Sequence, residues 1–568
     1  MSATYGIDFG TTNSVLARAS FGTVEVVPLD EPPGAWAQCG LDKVLPSVIG
    51  FDGEEPTFGW KAKAQHRNRL EAVKRLFATE DDEVTIGMHS LHVEEVAAML
   101  FRHMQQRAVA MGVMEPLDAA VVTVPANSRG KARYRTKLSA GLAGIEVMAL
   151  INEPTAAAMA HARAVGENER ILVFDWGGGT LDVTVLQAVE GTFIEQASRG
   201  IQRLGGVDID TEFFQAVKDL AGGSEAWSDI DRGKFRLNLE LAKIQLSSQS
   251  VTQLLYPNGQ SREVTRSDFE QAIRPIIERT REPVQICLRD SPGAIDHLVM
   301  VGGSSKMPIA KQFVSDLCRA DVRDDIDPMT AIAEGAAIAA GILSGTITDV
   351  DFFVATEHAL GVVASNDYDE QYFSVLIRRN TKLPARATDS YFPHNDFQET
   401  VDLRVIEGDP DKPLDDDENV VLRNWIVELP EPRPRVEAGF EVTYEYDVDG
   451  ILHVEVVDQK TSTVMMDELL TFYEGEKVNR LRKMRGRVDR LMLTNGSVAT
   501  NQPSGHTLSS ESLALIVRAR DKMLPFVSEG DEKTLSALIA ALEESSSGEE
   551  STRRDALQRE MRNHAYLL

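Results

Sequence analysis

The sequence predicts a duplicated α/β unit followed by an all-β unit and a helical tail. Three observations carry this. IDFGTTNS at 7–14 and FDWGGGTLDV at 174–183 each follow a strand-like run and place an aspartate, one bulky residue, then glycine and small hydroxyl residues. Near residue 346 an alanine-rich helical stretch gives way to short alternating segments broken by Gly, Pro, Asn and Asp, the mark of antiparallel strands. Beyond Glu474 the pattern turns helical. A chain of 568 residues suits three to four such units.

Taken in order, 5–19 reads as strand, Gly-Thr-Thr turn and strand, and 171–188 repeats it as ILVFDWGGGTLDVTVLQA. Helical periodicity follows at 93–111 and at 267–288. Two halves with equivalent hairpins imply an internal duplication. From 360 to 470 run segments such as VDLRVIEG and ILHVEVVD, and the acidic stretch DPDKPLDDDEN at 409–419 reads as a solvated loop among them. Breaks around 495–510 and 545–548 divide the tail into three or four expected helices.

Composition excludes several classes. A formal net charge of −29, from 59 basic and 88 acidic residues, repels nucleic-acid phosphates and anionic lipid over most of the surface. The expectation is no nucleic-acid and no membrane partner. Apolar runs such as GAAIAAGIL at 335–343 fall short of the ~20 residues a bilayer needs. MSATYGIDFG has no leader pattern, so a cytoplasmic protein is expected. Cys39, Cys287 and Cys318 form no C-x-x-C pair and read as thiols in a reducing compartment.

The chemistry lies in the hairpins. A polyphosphate is held by backbone N–H groups where no Cβ blocks the approach, and Gly10-Thr11-Thr12 and Gly177-Gly178-Gly179-Thr180 both offer that. Two such turns can grip one polyphosphate from opposite sides. Asp8 and Asp175 then lie near phosphate oxygens, which calls for a cation; Mg²⁺ bound partly through water fits. The plainer reading, that glycine and aspartate only shape β-turns, has equal weight for either hairpin alone.

Further motifs decide between them. Together with VVTVPA at 121–126, LINEPTAAA at 150–158, VMVGGSSKMP at 299–308, AVKRL at 72–76 and DGILHV at 449–454, the hairpins make the chain resemble the seventy-kilodalton heat-shock chaperones of the DnaK type over about residues 1 to 475. The resemblance implies an actin-like, duplicated ribonuclease H-like ATPase domain at 1–346 and an interdomain linker at 347–356. A β-sandwich substrate-binding domain at 357–474 and a lid-like helical tail at 475–568 follow. It implies ATP or ADP with Mg²⁺, and K⁺ as an accompanying ion. By the same resemblance Lys74 serves the γ-phosphate or attacking water, while Asp8, Asp175 and Glu153 hold metal largely through water. Asp182 orients water, and Thr11, Thr12 and Thr180 meet phosphate oxygens. This is positioning and charge neutralisation, the way phosphoryl transfer is catalysed. Nucleotide contacts extend to Asn13, Gly205, Gly206, Glu240, Lys243, Ser247, Gly302, Gly303, Ser304 and Lys306. Taken alone, Lys74 is an exposed helix charge and Glu153 a helix-start acid.

The base site departs from the family. Where arginines often stack on adenine, this chain has Ile244 and Lys306, an apolar contact and a point charge in place of two planar guanidiniums. Val362, Val401, Leu403 and Val405 align with the family's peptide groove, although alternating apolar residues by themselves read as sandwich core. In the linker Phe352 and Phe353 are expected to dock on the nucleotide domain in one state, the plainer reading being a permanent edge strand. The basic pair expected before the I-I-N-E-P-like motif is Met148-Ala149, the expected linker aspartate is Val354, and Asn127-Ser128 replaces an aromatic pair after V-P-A.

The function expected is an ATP-dependent chaperone-like ATPase, with slow hydrolysis coupled to binding and release of extended or unfolded polypeptides. A nucleotide-exchange factor and a dedicated rather than general J-domain protein are the expected co-chaperones. The alternative is an actin-like nucleotide-switch scaffold serving one partner without refolding; a sugar kinase, third, has no evident use for a β-sandwich.

Overall fold

The computed structural model describes residues 3–470 except 21, 66, 80, 115, 127, 129, 223, 351, 357, 367, 369, 417, 418, 449 and 450. It also describes 477–492, 512, 515, 516, 519, 520, 524, 527, 529–543, 545 and 550–563. Asp351, Asn127, Asp449, Gly450 and most of the two expected tail breaks lie outside the described residues.

Two sheets share one topology. In the first, Thr23–Val27, Asn13–Ser20 and Thr4–Phe9 run antiparallel, then Ala119–Val124 and Glu146–Asn152 add in parallel. In the second, Thr192–Gln202, Thr180–Val189 and Arg170–Trp176 repeat the antiparallel trio, and His297–Val301 adds in parallel. A parallel bridge from Leu298 to Val322 marks the place of a fifth strand. Equivalent strand order supports the duplication expected from the hairpins. Strands buried on both faces, such as ILVF at 171–174, are apolar throughout because helices cover each side.

The first sheet is the base of lobe I and the second that of lobe II. The Ala331–Leu343 helix packs on the first sheet and on the Glu153–Ala160 helix, which in turn meets the second sheet. Small residues along Ala331–Leu343 permit close approach. A Cβ on Gly335 would overlap the Ala156 carbonyl, and one on Gly6 would overlap the backbone at Ala336 and Ala337. The helix therefore lies backbone to backbone against both the first sheet and the Glu153–Ala160 helix.

The expected helix at 267–288 is two helices, Arg266–Arg279 and Arg281–Asp290, separated at Thr280. The second carries its own buried face, Val284 and Cys287, so apolar periodicity ran on across the break.

Residues 359–469 form two four-stranded sheets around Val362, Val405, Val442, Tyr444 and Val454, with Tyr444 Oη donating to Gly361 O at 2.8 Å. The acidic stretch is the connection between Thr400–Gly408 and Val420–Glu428. Of the tail, Lys477–Met492 packs on lobe I through Met484, Val488 and Met492, with Arg102–Asp489 at 2.8 Å and Arg487–Glu95 at 3.2 Å. Glu529–Glu543 and Glu550–Asn563 are the other long tail helices among the described residues. Among those residues no helix is long and apolar enough to cross a membrane.

Candidate nucleotide cleft

Each hairpin turn reaches the cleft between the lobes, and the surrounding chain occupies its carbonyl oxygens. Ser47 donates to Thr12 O from its backbone N and to Gly10 O from its Oγ, both at 2.8 Å. In the second turn Gly177 O accepts from Gly206 N at 3.1 Å and Ser304 Oγ at 2.9 Å, and Gly178 O accepts from Val207 N at 2.9 Å. Tying down acceptors leaves a surface suited to an anion. The turns also touch: a Cβ on Gly178 would overlap Thr12 Oγ1, and one on Gly205 would overlap Gly178 and Gly179. Glycine is required at 178 by proximity between the two hairpins and at 205 by its close approach to the second turn.

Behind the turns a cavity of about 90 Å³ is lined by Asp8, Gly10, Thr11, Thr12, Asn13, Glu153, Asp175, Gly177, Gly178, Gly179, Thr180, Gly302 and Gly303. Lys74, on the Val73–Ala78 3-10 helix that Ala72 starts at φ 58°, pairs with Glu153 of that lining. At 8 % exposure, Lys74 is not the solvated charge its sequence position alone suggests. Asp182 faces Asp175 across the second hairpin, and Thr123 Oγ1 donates to Asp8 Oδ1 at 3.3 Å.

Four carboxylates share one lysine, and their protonation reflects it. Burial, then the charge of Glu153, pushes Asp8 up to about 7 against the pull of Lys74. Asp182 is raised to about 7 by burial and then Glu153. Asp175 lies well above the carboxylate range, through burial and then Glu153, Asp182 and Asp8. Among the described residues no three His, Cys, Asp or Glu side chains converge closely enough to hold an ion by themselves. A cluster short of positive charge, without a close-fitting cage, fits a Mg²⁺ held largely through water and phosphate oxygens.

Beside this cavity, and sharing Thr12, Asn13, Gly178, Gly303 and Met329 with it, lies a second one of about 220 Å³. It gathers Gly206, Glu240, Lys243, Ile244, Ser247, Ser304 and Lys306, as the sequence leads one to expect. Glu240 is not free: Lys63 of lobe I pairs with it at 2.7 Å. Burial alone would raise Glu240, but Lys63 and Lys243 outweigh it and hold the carboxyl below its usual range. Lys243 in turn pairs with Asp210 at 2.8 Å and Lys306 with Asp327 at 3.0 Å.

Sequence reasoning missed Lys63, Asp210 and Arg75. Arg75 lies against Gly179, and its Nη2 is buried without a hydrogen-bond partner among the described residues. Its place beside Lys74 in AVKRL was the available signal.

The remaining expected residues lie elsewhere. Val362, Val401, Leu403 and Val405 are all buried in the sandwich, Val362 opposite Val405. Phe352 and Val354 are buried in the core shared by the lobes and the sandwich. Phe353 O accepts from Thr192 Oγ1 at 3.0 Å and its ring lies 4.9 Å from Lys382 Nζ. Ala149 is buried and Met148 half-buried, and Ser128 is buried.

Duplicated lobes around such a cleft, joined to a β-sandwich, have the organisation of a two-lobed nucleotide-binding protein with an appended binding domain. Comparison with known proteins agrees. A family model described as Hsp70 protein matches residues 4–566, so the chain belongs to the Hsp70 family, whose members are ATP-dependent chaperones and ATPases that bind ATP or ADP with Mg²⁺. It is similar to the chaperone protein DnaK of Metamycoplasma hominis, 32 % identical over 499 residues that cover 83 % of this chain and 81 % of that one.

Proposed function

We propose that this chain is a chaperone that binds ATP between its hairpins, hydrolyses it slowly, and uses the nucleotide state to change how its β-sandwich holds extended polypeptide. The observation that carries the reading is the cleft itself: two glycine turns facing each other over buried carboxylates and one buried lysine. Thr11, Thr12, Thr180 and the turn amides hold phosphate oxygens. Lys74, locked in place by Glu153, meets the charge that develops on the γ-phosphoryl group. Asp8, Asp175 and Glu153 would hold Mg²⁺, which would supply neutralisation of phosphate charge. Asp182 orients the attacking water.

Coupling runs through the linker and the sandwich face. Besides the Phe352 and Phe353 contacts, Arg379 pairs with Glu195 at 2.5 Å, and Gly130 N donates to Glu407 Oε2 at 3.3 Å, so the sandwich touches both lobes. Relative movement of the lobes must disturb at least one of these contacts. Peptide affinity then follows nucleotide state by differential contact in the two arrangements. The 1–346, 347–356, 357–474 and 475–568 divisions serve as nucleotide domain, linker, peptide domain and lid, with Val362, Val401, Leu403 and Val405 bordering the groove once it opens. Exposing a panel of unfolded polypeptides to the full chain with ATP, with ADP and without nucleotide tests this. Broad binding that weakens with ATP supports the chaperone; binding of none of them favours the single-partner scaffold.

A further inference from the structure

We infer that the base of the bound nucleotide is clamped between a wall of lobe I, made of Trp36, Cys39, Leu41 and Trp60, and Ile244 of lobe II, and that this apolar clamp sets nucleotide preference. The inference rests on the cleft being a nucleotide site, and adds what reads the base.

The 220 Å³ cavity opens directly from the phosphate turns, so a nucleoside attached to a bound polyphosphate extends into it. Of its charged groups, Glu240 holds Lys63, Lys243 holds Asp210 and Lys306 holds Asp327, and Lys311 lines it as well. Beside the polar Thr12, Asn13, Ser247, Ser248 and Ser304, the lining is apolar: Trp36, Cys39, Leu41 and Trp60 from lobe I, and Ile244, Met307 and Met329 from lobe II. Ile244 and Lys306, which cannot provide a pair of stacked guanidiniums, therefore have a counterpart across the cleft.

The wall is built rather than incidental. The Trp36 and Trp60 rings lie 5.1 Å apart at 50°, and Lys63 Nζ lies 5.1 and 5.6 Å from their centroids. Cation–π attraction holds the ammonium over the rings while its ion pair reaches Glu240 on the other lobe. Asp30 Oδ2 accepts from Trp60 N at 3.0 Å and fixes that backbone. Trp60 is 3 % exposed, and its Nε1 has no hydrogen-bond partner among the described residues. A buried donor without a partner is costly, and a nucleoside acceptor entering the cavity can satisfy it.

Apolar walls reject isosteres weakly, and the Trp60 Nε1 donor can be met by ring-nitrogen acceptors that adenine and guanine share. The clamp should therefore favour purines by contact area and separate ATP from GTP by no more than about tenfold.

The test is competition binding to the full chain, with Mg²⁺, of ATP, GTP, CTP and inorganic tripolyphosphate, for the wild type, Trp36→Ala and Leu41→Ala. The expected result is that ATP and GTP bind alike and CTP more weakly. Both variants should lose about tenfold or more for ATP, and tripolyphosphate affinity should stay unchanged. Retained tripolyphosphate binding certifies a folded phosphate site, and Leu41→Ala, the smaller truncation, decides the matter if Trp36→Ala loses both ligands by misfolding. Wild-type ATP affinity in a folded Leu41→Ala variant, ATP binding no tighter than tripolyphosphate, or a thousandfold preference for ATP over GTP each overturns the clamp while leaving the phosphate site standing. Failure of the wild type to bind either ATP or tripolyphosphate removes the nucleotide reading, and the clamp with it.

Discussion

The two hairpins share a strand order but divide the chemistry of the cleft. The first, Thr4–Phe9 with Asn13–Ser20, brings hydroxyls and Asn13 on a turn held by Ser47; the second, Arg170–Trp176 with Thr180–Val189, brings three consecutive glycines and the Asp175 and Asp182 carboxylates. Their neighbours differ as well. Lobe I contributes both the buried Lys74 and the aromatic wall, whereas lobe II contributes the helix bearing Glu240, Lys243 and Ile244. The two halves thus offer equivalent turns, with the buried lysine beside the carboxylates coming from lobe I and the close glycine backbone from lobe II. Neither lobe holds a complete site.

The sharpest break comes where the turns touch. Gly178→Val places a branched side chain against Thr12, prising the hairpins apart, and should lower ATP affinity by about 100-fold or more, ~2.7 kcal/mol, in equilibrium binding. Unaltered affinity in a folded Gly178→Val protein would falsify the shared grip. Substitutions that spare the grip should separate binding from chemistry. Lys74→Ala and Asp182→Asn should keep ATP bound while slowing single-turnover hydrolysis by about 100-fold, since their roles lie in transition-state charge and water orientation. Unchanged rates would remove either residue from that role.

The carboxylate cluster gives the comparison a pH signature. Asp8 and Asp182 are raised to about 7 from 3.8, so in the ligand-free cleft they keep their protons until neutral pH. The stability these two groups contribute is fully present below 3.8 and fades as pH rises through about 7. Cation binding requires the ionised forms, so Mg²⁺–ATP affinity should fall between pH 8 and pH 6, with proton uptake by buffer seen calorimetrically. A flat profile over that range contradicts the assignment of these carboxylates to the cation.

How much of this was legible depends on distance along the chain. The hairpins stood out because aspartate, bulky residue and glycines must be adjacent to make a turn that admits phosphate, and Arg75 was at least next to a flagged lysine. Glu240 was recognised, but its partner Lys63 lies 177 positions away and carries no local mark. Trp36 and Trp60 are single aromatics in separate segments, and tertiary packing alone makes them a wall. The break at Thr280 is hidden for the opposite reason: apolar periodicity continues through it, because both helices bury the same kind of face. Val362, Val401, Leu403 and Val405 are the most ambiguous, since the alternation that lines a groove also fills a sandwich, and all four are buried.

A smaller effect concerns co-chaperones. Met148 and Ala149 offer no positive charge to an acidic J-domain residue, and Val354 is buried in the linker. A missing charge-assisted contact, roughly 1.5–3 kcal/mol, weakens a transient complex about tenfold or more. Steady-state ATP hydrolysis should therefore stay level when a general J-domain protein and a model peptide are added. Saturable acceleration that disappears when the J-domain's acidic residue is changed would show that another basic residue has taken over the contact.

The central claim, that nucleotide in the cleft governs peptide in the sandwich, is tested most directly by the dissociation rate of a bound fluorescent peptide after mixing with ATP. In the wild-type chain release should accelerate roughly 5–150-fold, the usual range of coupling between sites. In Phe352→Asp, whose carboxylate cannot remain in a site where Phe352 is 9 % exposed, ATP should still bind but the acceleration should vanish. Equal acceleration in both proteins would contradict coupling through the docked linker, and none in the wild type would contradict the account as a whole.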